Sequence, residues 1–112
     1  MKARENKCPA EFTLILIGGR WKIPLIFHLQ SGSRRFSELA RALKGVTQKV
    51  LTQQLREMER DGLVARKVYA QVPPRVEYSL TELGFSLRPV VEAMCKWGEA
   101  HGAPSLAREA RA

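Results

Sequence analysis

Thr47-Gln48-Lys49-Val50-Leu51-Thr52-Gln53-Gln54-Leu55-Arg56-Glu57-Met58-Glu59-Arg60-Asp61 is the stretch on which the reading of this chain turns. Thr47 is of the N-capping type, and Gly62 stands where a C′ residue would close a helix. On a helical wheel, Leu51, Leu55 and Met58 fall within about 60° of one another and should pack inward. Lys49, Thr52, Gln53, Arg56 and Arg60 fall on the opposite side, with Gln48 at the N-terminal rim, and this reading puts no Asp or Glu on that face. Such side chains suit the base edges of a major groove: Gln pairs with adenine, Lys or Arg with guanine, and a Thr methyl touches thymine. Gln48, Lys49, Thr52 and Gln53 are therefore candidates for base contacts, and Arg56 for a base or a phosphate. An ordinary amphipathic helix would simply solvate the same face, and the helix alone does not choose.

The flanks do choose. Upstream, Phe36, Leu39, Ala40 and Leu43 repeat at i, i+3, i+4, i+7, one apolar stripe of a short helix. Lys44-Gly45-Val46 then turns the chain into Thr47, so two helices joined by a tight Gly-containing turn form a helix-turn-helix over about residues 35–61. Downstream, residues 63–69 and 75–80 are rich in β-branched and aromatic side chains, with Val72-Pro73-Pro74 between them as a stiff tip. They read as a β-hairpin over about residues 63–80, a wing with Arg66, Lys67 and Arg75 on its stem. Arg34 and Arg35 precede the Phe36 helix, and Ser37 lies in its first turn, where free backbone N–H groups could meet a phosphate. Lys22 and Lys44 are weaker candidates for the same role. The expected fold is α+β, mostly helical: one winged helix-turn-helix domain over residues 1–112, with N- and C-terminal dimerisation helices.

Further out, Cys8-Pro9 opens a short amphipathic helix bearing Phe12, Ile15 and Leu16, and Gly18-Gly19 ends it. A second helix should start near Arg20 and bury Trp21, Leu25, Ile26 and Leu29, with Pro24 in or just after its first turn. Thr81-Glu82 caps a last helix running to about His101, with Pro89 bending or restarting its first half. Leu83, Leu87, Val90, Met94 and Trp97 are spaced 4, 3, 4, 3 along it, an a/d-like seam for a homodimer, although a fold of this size could bury that seam internally. Phe12, Ile15 and Leu16 would be the companion surface. The Ala/Arg-rich tail after Gly102 reads as frayed.

Charge agrees with this division. The 112-residue chain carries a net charge of +8. Residues 31–80 hold ten Lys/Arg against five Asp/Glu and residues 1–30 five against two, whereas residues 81–112 hold four against four. A basic part joined to a neutral one fits a polyanion-binding region carried on an assembly region. No run of about 18 apolar residues offers a membrane span, and Met1 to Lys7 lacks the apolar run of a secretory signal, so a cytoplasmic protein is expected. Two cysteines, Cys8 and Cys95, and two histidines, His28 and His101, make neither a disulfide framework nor a metal site, and no cofactor is expected. No Ser/His/Asp or Cys/His set, paired carboxylates or phosphate-binding Gly loop marks an enzyme.

The chain resembles the HxlR-type winged-helix regulators, relatives of the MarR-like repressors, from about Cys8 to Gly102. The likeness rests on Cys8-Pro9, Ile17-Gly18-Gly19-Arg20-Trp21-Lys22, residues 35–39, residues 47–55, Asp61-Gly62-Leu63-Val64 and residues 72–84. It implies a homodimer that binds palindromic operator sites in double-stranded DNA through paired recognition helices and wings, as repressor or activator. It also implies that Cys8 could sense a small electrophile or oxidant. As N-cap beside Lys7 and near Arg4, its thiolate would be stabilised, whereas the plain alternative is a small capping or packing residue. Cys95, beside the apolar seam, reads as packing. The strongest rival function is a winged-helix protein-interaction module without sequence-specific DNA binding, with an RNA-binding winged helix behind it. The basic, amide-rich outer face of the Thr47–Asp61 helix argues against the former.

Overall fold

A computed structural model of the chain describes residues 8–102. The elements are α1 (Pro9–Ile17), α2 (Lys22–Leu29), β1 (Arg34–Arg35), α3 (Phe36–Ala42), α4 (Gln48–Arg60), β2 (Val64–Tyr69), β3 (Arg75–Leu80), α5 (Glu82–Phe85) and α6 (Arg88–His101). Helices pack on a three-stranded antiparallel sheet of order β1-β3-β2, which is the winged-helix arrangement.

α4 forms where its sequence pattern demands. Thr47 caps it by accepting from Val50 N–H at 3.1 Å. Gly62 ends it at φ 80°, and Leu63 N–H donates back to Met58 O at 2.9 Å, the paired closure that a left-handed C′ residue permits. Leu51, Leu55 and Met58 are buried with Leu25, Ile26 and Leu29 of α2, Leu39 of α3, and Leu63, Val64 and Leu80 of the sheet region. This single core fixes α4 rigidly against α2 and the wing. α3 meets α4 through Leu43 and a turn in which Gly45 takes φ 90°.

Three expectations change. The last helix is two helices: α5 stops at Phe85, the chain turns through Ser86 and Leu87, and Pro89 lies in the first turn of α6. A proline there lacks the N–H that would continue the ladder, and its ring excludes the carbonyl four residues back. Leu83 therefore belongs to α5 and does not continue the seam, while Leu87 and Leu16 pack against the core. Arg34 and Arg35 are not a loop before α3 but β1, paired with Tyr78 and Glu77 of β3. α2 begins at Lys22 rather than near Arg20, with Pro24 in its first turn as expected. The tail after Gly102 and the cations Arg4 and Lys7 lie outside the described residues.

α5 is bonded to the end of α4. Thr81 Oγ1 donates to Gly62 O, and Thr81 N–H donates to Leu63 O at 3.0 Å. Gly84 is buried against the Leu63 carbonyl so closely that any Cβ there would collide with it. Among the described residues no single helix is long and apolar enough to cross a membrane. α1 and α2 reach that composition only together, across an 80° bend.

Candidate nucleic-acid interface

α4 presents Gln48, Lys49, Thr52, Gln53, Arg56, Glu57 and Arg60 around one open depression. All five expected base-reading residues thus share one surface, with Gln48, Lys49, Gln53 and Arg56 exposed and Thr52 half-buried. Among the described residues Lys49 and Arg56 have no ion-pair partner, while Arg60 is drawn to Asp61, its Nε 3.2 Å from Oδ1.

The face is not free of acid, as the wheel had it. Glu57 lies in the depression one turn beyond Gln53, and its side chain is 28% exposed. Its partner is Lys22, which the sequence offered as a weak phosphate contact. Lys22 is instead buried, 6% exposed, with Nζ 2.7 Å from Glu57 Oε1. The hydrogen bond from Lys22 holds the Glu57 carboxyl below the usual carboxylate range, against the desolvation that would raise it. Gln53 Nε2 donates to the other oxygen, Oε2, at 3.4 Å. The sequence contained a signal for the second contact, an i,i+4 Gln–Glu pair, but none for the first.

The wing residues do not form one patch. Residues opposite each other in neighbouring strands share a face and successive ones alternate. Register therefore puts Arg34, Tyr78 and Arg66 on one face, and Arg35, Glu77, Lys67, Tyr69 and Arg75 on the other. On the first face Arg66 reaches back to Glu59 of α4 at 3.7 Å, and Arg34 Nη2 donates to Ser31 Oγ at 2.7 Å. Burial raises the Tyr78 hydroxyl pKa, with Arg56 and Arg66 close enough to oppose the shift. On the second face Arg75 stacks 4.1 Å from the Tyr69 ring centre and lies 3.5 Å from Glu77, with Lys67 4.9 Å from the same ring. Ser37 is exposed on α3, but Glu38 accepts from Arg35 N–H at 2.8 Å and puts a negative charge at that helix start. α3, of seven residues, is thus a poorer phosphate site than the sequence implied.

This order and geometry match known regulators. The model of the HxlR-like helix-turn-helix family matches residues 16–105. The chain belongs to that family. It is 55% identical over 94 residues to YybR of Bacillus subtilis, an uncharacterised HTH-type transcriptional regulator, covering 84% of this chain and 75% of that one. Among solved structures, the redox regulator HypR in its oxidised form superposes with a TM-score of 0.81 at 54% identity, covering 86% of this chain and 99% of that one. The reduced form of the regulator YodB from B. subtilis superposes at 0.72 and 36% identity, covering 88% and 97%. An HxlR-like protein is a transcriptional regulator of the helix-turn-helix type, MarR-like in fold, and not an enzyme.

Away from α4, the chain exposes Phe12, Leu14 and Ile15 on α1 and Val90, Met94 and Trp97 on α6. Leu83 is also exposed, beside the Gly62 turn. Cys8 is exposed at the N-cap of α1, and its side chain makes no capping hydrogen bond. Glu11 lies in the same first turn. Cys95 is exposed on α6 rather than packed.

Proposed function

We propose that this HxlR-like regulator is a homodimer that binds a palindromic operator in double-stranded DNA, with α4 in the major groove and the wing against the flanking backbone. The observation that carries this reading is the depression on α4, where amide, hydroxyl and unpaired cationic side chains gather on a helix fixed to the core. Gln48, Lys49, Thr52 and Gln53 are the base readers, with Arg56 on a base or phosphate. Arg34, Arg35, Ser37, Arg66, Lys67 and Arg75 supply backbone contacts from the β1 side and the wing. Dimerisation uses Phe12, Ile15, Val90, Met94 and Trp97, large apolar side chains that a monomer would leave in water. Two-fold pairing through α1 and α6 would set two copies of α4 on successive half-sites.

The test is selection of bound DNA from a random pool. A two-fold symmetric consensus is expected. In Gln53→Ala, affinity for that consensus should fall by about tenfold while affinity for random DNA barely changes. Equal losses on both would exclude a base contact.

The dimer responds to thiol chemistry through Cys8, an exposed sulfur at the mouth of a helix on the proposed dimer surface. The similarity to HypR and YodB, the latter also solved after diamide treatment, supports this reading. A quinone or diamide should change operator binding by the wild type but not by Cys8→Ser. Identical responses would remove Cys8 as the sensor.

A further inference from the structure

Glu57 stands where a DNA-reading face should have no acid. A carboxylate in that depression opposes approaching phosphates and lowers affinity for every duplex. Its two oxygens are divided between two donors. Oε1 takes Lys22 Nζ at 2.7 Å, and Oε2 takes Gln53 Nε2 at 3.4 Å. Because Lys22 belongs to α2 and is buried, the shorter of the two contacts anchors the carboxylate from inside the domain. An amide has a donor side and an acceptor side, whereas a carboxylate only accepts. Turning the Gln53 amide over would set its Oε1 against Glu57 Oε2, acceptor to acceptor.

We propose that Glu57, pinned by Lys22, is a specificity-determining positioning residue: it selects one of the two orientations of the Gln53 amide, and with it the donor–acceptor pattern shown to a base pair. This rests on Gln53 reading a base, as proposed above. With one Nε2 hydrogen held by Glu57, Oε1 and the second N–H stay free, and this pair complements N6 and N7 of adenine.

Glu57→Gln tests it, because Lys22 can only donate. The new amide oxygen must turn to Lys22, leaving its NH2 toward Gln53, which then has to present Oε1 inward and its NH2 outward. The buried ammonium keeps a partner, so the variant should fold, as a thermal melt will verify. Glu57→Asp is the second variant: it keeps the charge but draws the carboxylate back by one methylene. Sequence preference is read by selection from a random pool for the wild type, Gln53→Ala, Glu57→Gln, Glu57→Asp and the Gln53→Ala/Glu57→Gln pair.

Gln53→Ala should flatten the preference at one base pair in each half-site. Glu57→Gln should change the preferred base at that same pair, by about tenfold in relative affinity, and Glu57→Asp should loosen it. In the Gln53→Ala background, Glu57→Gln should change no base preference. A uniform gain in affinity with the same preferred base would reduce Glu57 to a charge effect and overturn the proposal. A new preference that persists without Gln53 would overturn it equally. If Gln53→Ala leaves every position unchanged, the base contact itself is wrong and the proposal falls with it. If Gln53→Ala flattens the pair and neither Glu57 variant affects it, only the positioning role fails.

Discussion

The outer face of α4 and the stem of the wing carry similar cations in opposite states. On α4, Lys49 and Arg56 are exposed, with no ion-pair partner among the described residues. On the wing, Arg66 faces Glu59, Arg75 lies between Tyr69 and Glu77, and Lys67 lies over the Tyr69 ring. Counting charges makes the wing look the more basic surface, but availability favours the helix. An exposed pair is worth at most about 1 kcal/mol, so DNA can compete for these wing cations. Whatever the phosphate gains is then reduced by the acid left behind.

The largest expected effect tests that difference directly. Lys49→Ala and Arg56→Ala should each weaken binding to the selected operator by about 5- to 30-fold. Where the lost contact is a phosphate, the salt slope should also fall by about one unit. Arg75→Ala should cost only about two- to threefold with a smaller change of slope, since its guanidinium is already engaged. Equal losses from helix and wing, measured by titration over a range of salt, would break the comparison.

A smaller effect of opposite sign would sharpen it. Glu77 touches Arg75 and accepts from Tyr69 Oη at 3.3 Å, so it restrains both side chains on the wing face they share. Glu77→Gln should free Arg75 and tighten binding to any duplex by about two- to fivefold, steepening the salt dependence. No gain would mean that the wing face bearing Arg75 and Glu77 does not approach DNA.

Smaller again is the contribution of the helix cap, which concerns stability. Thr47→Val removes the acceptor for Val50 N–H while keeping the β-branched shape. It should cost about 1 kcal/mol in chemical denaturation. Because the frayed turn carries Gln48 and Lys49, operator affinity should fall with it. An intact affinity would show that DNA orders this turn by itself.

The features that were legible in the sequence are those whose signals are local. α4 begins and ends where Thr47 and Gly62 predict, because cap and C′ residues are read by their own neighbours in the chain. β3 spans Arg75–Leu80 as its alternation implies. β1 escaped because two residues have no period, and only the partner strand makes Arg34 and Arg35 a strand. The expected apolar stripe on one last helix fails for a related reason. Its 4-3-4-3 spacing runs on regardless of the break at Ser86–Leu87, so Leu83 lies on α5 and not on the helix that carries Val90, Met94 and Trp97. The five base-reading candidates gather as expected because one helix face decides their placement. Lys22 and Glu57 did not announce themselves, since they lie far apart in the chain and meet only once α2 packs on α4.

That hidden pair gives the smallest effect, a protonic one. The hydrogen bond from Lys22 is the largest cause of the lowered Glu57 pKa, and desolvation by burial opposes it. A carboxyl whose pKa is lowered on folding adds stability above its unfolded value, and that contribution disappears as pH falls through the folded value. The wild type should therefore lose this increment progressively below about pH 4.5, the unshifted value for Glu57. Glu57→Gln cannot be protonated there, so its melting temperature should fall less steeply over the same acid range. Parallel acid limbs in the two proteins would mean that Lys22 holds Glu57 no more firmly than solvent does. The Glu57 carboxylate would then be no better held in the depression than a solvated side chain, although the core would still fix α4 itself.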